Sequence, residues 1–301
     1  MKTLSGPVAP TRHLLSVRCY ATLGTQEGNE MATDTYLFGR SAGELQRLAR
    51  QAALVEPETE ELFLRSGITA GMHVLEIGSG AGDVAMLAGR MVRPDGSVLG
   101  IERSADSVAL ATSRVAAAAN INARFEVGDI NSYQPSTPYD ALVGRFVLPY
   151  LDDPPAVLKR LASHVRPGGV LAFMEFDVTR IGSVPEAPLF QATATWITRA
   201  FEGSGIDPAM GSSLGRVFRD AGLPWPNMNS FQKASCGPEG FYWLFAETVR
   251  TLLPNIVRLG LATAEQVEVD SLANRLCKEA ITMRLTAFSP RWVSAWVRIP
   301  L

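Results

Sequence analysis

Three glycines at every second position, Gly78, Gly80 and Gly82, separate the apolar run HVLEI (73–77) from a stretch in which Val84, Leu87, Ala88 and Met91 share one helical face. A strand, a glycine turn and a helix in that order bring bare backbone next to a ligand. The acids nearby narrow the choice of ligand. Glu76, Asp83, Glu102 and Asp129 surround the turn, which contains no Lys or Arg. A dinucleotide fingerprint needs a third glycine at position 83, where this chain has Asp83. That carboxylate also stands where it would cap the helix amides and repel a phosphate. The constellation suits a ligand with positive charge and no phosphate.

The elements that must hold these residues alternate. Strands are expected at HVLEI (73–77), SVLGIE (97–102), ARFEV (123–127), YDALVG (139–144) and VLAFMEF (170–176), with helical patterns between them. Ser104 is a predicted N-cap for the alanine-rich helix, and Asp153 with Pro154 starts the next one. Such alternation predicts an α/β fold with a doubly wound, mostly parallel sheet, whose ligand lies at the carboxyl ends of the strands. Before the first strand, two helices are expected, one capped by Ser41 and carrying Leu45, Leu48, Ala49 and Ala52, the other over about 56–65 with Pro57 in its first turn. They are candidates for a lid or for a brace against the sheet.

S-adenosylmethionine is a ligand of the required kind, with a sulfonium, an ammonium and a nucleoside without phosphate. LEIGSGAG, Glu102 ending the second strand, GDI at 128–130, YDALVGRFVLPYL and RPGGVLAFMEF together resemble the successive motifs of class I S-adenosylmethionine-dependent methyltransferases, over about residues 67–177. The resemblance implies a seven-stranded Rossmann-like sheet, with two further strands, one of them antiparallel; NSFQKAS (229–235) and WVSAWVRI (292–299) fit that pair. It also implies roles. Glu76 orients the methionyl end, while Gly78, Ser79 and Gly80 let backbone approach the cofactor. Glu102, with Arg103 beside it, takes the ribose hydroxyls; Asp129 takes the adenine amino group and the Ile130 amide the ring. Gly144, Arg145 and Phe146 line the methyl-donor pocket. Apart from the resemblance, Tyr36 and Arg40 in TYLFGR are read first as a solvated helix start, and as ligands of the cofactor carboxylate if the N-terminal helices fold over it.

Each residue also has a plainer use. Asp83 is read first as a helix cap, Gly82 as a close-packing glycine, Glu76 as a binder of backbone amides, and Arg145 as either a substrate-carboxylate ligand or a local ion-pair partner. Methyl transfer chiefly requires proximity and shelter from water, so a dedicated base is optional. Tyr150, Glu175 and Asp177, near strand ends, are the candidates if one is used, since His13, His73 and His164 read as structural. The aromatics Trp196, Phe201, Trp225, Phe231, Phe241, Tyr242, Trp243 and Phe245 are expected mostly in the core, with several lining an apolar acceptor pocket.

Composition limits the partners. The 301 residues are 47% hydrophobic and 19% charged with a net charge of −2, which gives no field for nucleic acid or anionic membrane. GRFV after the fourth strand, and no Pro-Cys pair, also argue against DNA methylation. No apolar run reaches the roughly 18 residues of a membrane span. Three scattered cysteines, Cys19, Cys236 and Cys277, form no disulfide or metal framework. The expected organisation is an extension or targeting segment at 1–30, a helical lid at 31–66, a cofactor core at 67–183, and at 184–301 a helical substrate cap with the last strands. The expected protein is a cytoplasmic monomer or homodimer acting on a small apolar metabolite. TRHLLSVRCYA leaves a mitochondrial location open, and Met31 is an alternative start. A non-catalytic module of the same fold and a nicotinamide oxidoreductase are the competing functions.

Overall fold

Alternate residues along each central strand are apolar on both faces, so the sheet must be covered on both sides. A computed structural model describes residues 42–118 and 120–301, and for 42–49 the backbone alone. In chain order it contains α1 (Ala42–Ser66), β1 (His73–Ile77), α2 (Asp83–Met91), β2 (Ser97–Glu102), α3 (Ala105–Ala117), β3 (Ala123–Val127), β4 (Tyr139–Arg145), α4 (Pro154–Ala162) and β5 (Val165–Asp177). There follow β6 (Gly182–Val184), α5 (Pro188–Glu202), α6 (Met210–Asp220), β7 (Asn227–Phe231), β8 (Ala234–Cys236), α7 (Tyr242–Arg258), α8 (Ala264–Val267), α9 (Val269–Met283), β9 (Thr286–Phe288) and β10 (Arg291–Arg298).

Seven strands form the main sheet in the order β3-β2-β1-β4-β5-β10-β7. Strands β1 to β5 are mutually parallel, and β10 runs antiparallel to both its neighbours. Val74, Val98, Val143 and Met174 face the layer that holds α1 and α2, while Leu75, Leu99, Leu142 and Phe173 face the layer of α4 and α6. The direction of winding reverses between β1 and β4, the switch point at which such sheets bind ligands.

Three expectations need correction. The two N-terminal helices are one, α1, with Pro57 inside it. An interior proline costs about 3 kcal/mol. Ala52, Val55, Leu62 and Phe63 nonetheless stay on one buried face across it, and burial at roughly 1.5–3 kcal/mol for each larger side chain outweighs the break. Asp83 is not the cap of α2. Gly82 holds that position with φ +85°, and Asp83 pairs with Arg114 at 2.7 Å.

The third correction is to NSFQKAS, which is not one strand. It divides at Gln232 into β7, on the main sheet, and β8, in a separate antiparallel sheet of order β6-β9-β8. That order repeats β5-β10-β7, because β6, β8 and β9 adjoin β5, β7 and β10 along the chain. The small sheet is thus a neck where the chain leaves and rejoins the main sheet. At the break, Gln232 Nε2 donates to the carbonyls of Arg180 and Ser289, both at 2.7 Å. Helices α5, α7 and α9 pack together beyond the neck and share the core that includes Phe176 and Trp292.

Candidate active site

The carboxyl ends of β1, β2 and β4 and the loop after β3 surround a cavity of about 320 Å³ at the switch point. Ten of the expected cofactor residues line it: Glu76, Gly78, Ser79, Gly80, Glu102, Arg103, Asp129, Ile130, Arg145 and Phe146. Gly144 does not; a Cβ there would stand 2.6 Å from Phe173 and 2.9 Å from Val147, so this glycine serves close packing behind the cavity. Tyr36, Arg40 and Ser41 lie outside the described residues. The acids Glu76, Asp83, Glu102, Asp106 and Asp129 meet only the cations Arg103 and Arg145 in the described wall.

Backbone geometry explains the glycine turn. A Cβ on Gly82 would stand 2.9 Å from Phe125 and 3.0 Å from Ala111, so this position serves close packing of the turn against β3 and α3. A Cβ on Gly80 would meet nothing within 4 Å. That glycine, at φ +50°, keeps an open approach to the cavity. Glu102 ties the turn to β2, its Oε2 accepting from Gly80 N at 3.1 Å and its Oε1 from Ser104 N at 2.9 Å. Each oxygen keeps a second lone pair for a ligand hydroxyl. Asp129 Oδ1 accepts from Asn131 N at 2.9 Å, which holds the loop after β3 in a tight turn.

Glu76 is 1% exposed, and its Oε2 has no partner within the protein. Burial pushes its pKa up to about 8, against the pull of the Arg145 guanidinium; Asp83 and Glu102 push it further up. An orphaned carboxyl oxygen in the wall of a cavity is a polar group awaiting a donor. Ser79 Oγ, also lining the cavity, is a second such atom. Arg145 is held down in pKa by burial, while Asp83, Glu76 and Glu56 favour its charge. Its Nη1 donates to Thr59 Oγ1 at 3.0 Å, tying β4 to α1.

Two arginines that the sequence reading passed over build this wall from behind. Arg114, in the last turn of α3, donates to Ala81 O at 2.6 Å and to Asp83 Oδ1 at 2.7 Å, and so fixes the glycine turn. Arg160, on α4, donates to the carbonyls of Ile130 at 2.5 Å, Asn131 at 3.2 Å and Tyr133, and so fixes the loop after β3. Their only signal in the sequence is a basic residue late in the helix.

A second cavity of about 100 Å³ adjoins the first, and Gln51, Phe146 and Tyr150 line both. Its walls are apolar, with Phe176, Ile197, Phe201, Phe245 and Trp292 among them. Phe146 has φ +57°, a left-handed conformation that costs a non-glycine residue about 1–2 kcal/mol. The strain turns the backbone sharply after β4, with Phe146 at the boundary of the two cavities. Of the aromatics expected at an acceptor pocket, Phe201 and Phe245 are in this wall, while Trp225 is 77% exposed on the surface beside Arg219.

The three candidate bases separate. Tyr150 lines both cavities, whereas Glu175 and Asp177 line neither. Glu175 Oε1 accepts from Val147 N and Leu148 N, both at 3.0 Å, and burial pushes this carboxyl up to about 8. Asp177 accepts from Thr179 and Ser212 and caps the turn over 178–180.

A family model described as a methyltransferase domain matches residues 68–218. A trans-aconitate 2-methyltransferase of Deinococcus radiodurans is 41% identical over 101 residues, 33% of this chain and 36% of the relative. The first curated relatives are matched over 36%, 41% and 55% of their own lengths, so the chain spans about a third to a half of them. Among solved structures, the YcgJ protein of Bacillus subtilis superposes with a TM-score of 0.54 at 15% identity, covering 81% of this chain and 99% of that one. A Haemonchus contortus phosphoethanolamine N-methyltransferase, solved with phosphomonomethylethanolamine and S-adenosylhomocysteine, has a TM-score of 0.50 at 16% identity, covering 81% of this chain and 53% of its own. These likenesses agree with the sheet order described above.

Proposed function

The chain belongs to the methyltransferase-domain family, in its class I S-adenosylmethionine-dependent form, and on that premise we propose that it methylates a small, largely apolar organic molecule. The observation that carries the reading is the cavity at the switch point, with two orphaned buried polar atoms and an excess of acids in its wall. S-adenosylmethionine supplies an electrophilic methyl group on a sulfonium sulfur. Glu76 accepts from the ammonium end and balances the nearby positive charge, and Gly80 gives the backbone clearance. Glu102 receives the ribose hydroxyls, with Arg103 beside it. Asp129 receives the adenine amino group and the Ile130 amide donates to the ring. Arg145 and Phe146 close the methyl-donor end, and 67–183 acts as the cofactor core.

The adjoining apolar cavity receives the acceptor, with 184–301 supplying most of its wall. Trans-aconitate carries three carboxylates, and a site for it needs several cations. Among the described residues the acceptor cavity is lined by no Lys, Arg or His, which favours an apolar acceptor here.

Calorimetric titration with S-adenosylmethionine and S-adenosylhomocysteine, with NAD as control, tests the reading. Saturable micromolar binding of either, weakened at least tenfold by Glu102→Ala and by Asp129→Ala, is expected. No binding on a folded protein, or binding of NAD instead, would overturn it.

A further inference from the structure

Glu175 is fully buried, lines neither cavity and takes no part in the steps above. Its neighbours nevertheless tie it to the site. Three successive residues of β5 hold the three that follow β4. Met174 O accepts from Phe146 N at 2.9 Å, Glu175 Oε1 accepts from Val147 N and Leu148 N, both at 3.0 Å, and the Phe176 ring lies 5.8 Å from that of Phe146.

The held residues reach different parts of the site. Phe146 lines both cavities, in a left-handed conformation that side chains disfavour. Val147 lines the cofactor cavity and backs the glycine turn, since a Cβ on Gly78 would stand 2.5 Å from Val147 Cγ2. Leu148 is buried in the layer of α4 and α6 and anchors the segment. Resting on the methyl-transfer reading, we propose that Glu175 is a positioning residue, which through Val147 and Phe146 sets the wall between methyl donor and acceptor.

Strain and burial make the carboxyl necessary to that turn. Both of its hydrogen bonds are buried, so the two amides would be left unpaired without Oε1. A chain free to satisfy them elsewhere relaxes Phe146 from its positive φ and carries the ring away from the boundary. Displacement at the methyl carbon tolerates little movement of the groups around it, so such a shift reaches the reaction with no contact from Glu175 itself. Charge is not what the role requires. Burial pushes the carboxyl up to about 8, so at neutral pH the accepting oxygen belongs mostly to a neutral group. Oε2 has no partner within the protein. A carboxamide can therefore stand in for the carboxyl, keeping the acceptor and adding no charge.

S-adenosylmethionine labelled with carbon-13 in its methyl group reads the wall without any acceptor. In the wild-type complex the Phe146 ring current should displace the methyl resonance, and Phe146→Leu should remove that displacement. Glu175→Met, which takes away the accepting oxygen at similar volume, should remove most of it. Its affinity for S-adenosylhomocysteine should stay within about threefold of wild type, because Glu102 and Asp129 are held by other strands. Glu175→Gln should keep the wild-type resonance. Cooperative urea unfolding checks that each variant is folded, and Glu175→Ala, which leaves room for water at the two amides, replaces Glu175→Met if that variant is not. An unmoved resonance on removal of the oxygen would overturn the assignment, since the wall would then stand without it. A resonance moved as far by Glu175→Gln would also overturn it, by showing that the charge or proton matters. So would a Phe146→Leu complex with the wild-type resonance, which would place the ring away from the methyl group. Failure of the folded wild-type protein to bind S-adenosylmethionine or S-adenosylhomocysteine would instead overturn the methyl-transfer reading beneath it.

Discussion

Glu76 shows how far one residue's role can be read before its surroundings are known. Its position, last but one in a buried strand, is plain in HVLEI. What the sequence leaves open is how far backbone amides would satisfy it: the Ala85 amide reaches the carboxyl, and Oε2 is left orphaned. With a pKa raised from 4.5 to about 8 by burial, the carboxyl is mostly protonated at neutral pH in the ligand-free cavity. A cation placed beside it favours the carboxylate and lowers that value. Binding of S-adenosylmethionine should therefore expel close to one proton near pH 7, and affinity should rise with pH until about 8. Calorimetry in two buffers of different ionisation enthalpy reads this directly. Glu76→Gln should remove its share of the proton release and weaken binding about tenfold or more. An unchanged proton count in the variant would reject the assignment. Arg114 and Arg160 lie at the opposite extreme of legibility. Nothing in a single sequence says which carbonyls a late-helix arginine will reach.

At the scale of elements, β1, β2 and β3 were legible to the residue, because their apolar runs are bounded by turn residues and caps. The neck was not. Strands of three residues carry too little periodicity to be seen, and β7 and β8 read as one run because Gln232 interrupts hydrogen bonding without interrupting the pattern. Pro57 misled in the other direction, since a breaker read locally cannot reveal the buried face that overrides it. The neck also yields an expectation. Gln232 joins carbonyls from two other passages of the chain; losing two such bonds costs roughly 1–3 kcal/mol. Gln232→Ala should accordingly lower the urea midpoint and raise the KM for acceptor, with cofactor affinity little changed. Equal weakening of both ligands would show that the neck does not separate the two halves of the site.

For the molecule as a whole, Glu76 and Glu175 are two deeply buried carboxyls raised to about 8 from 4.5. Between those values the folded chain holds protons that the unfolded chain has released. Stability should fall as pH rises through that window and level off above it. Urea unfolding at about pH 5 and about pH 8 measures the slope, which Glu175→Gln should reduce. A slope unaltered by that substitution would mean that Glu175 titrates normally.

The place of β10 has a further consequence, for synthesis. It lies between β5 and β7, yet Arg291 follows Phe231 by 60 residues, a span that includes α7, α8 and α9. As the chain emerges from the ribosome, β1 to β5 can pair in turn, but β7 has no neighbour until the cap has been made. For that interval β7 is an unprotected edge, so a stall within the cap leaves a nascent chain with a half-built sheet exposed to chaperones and to its own neighbours.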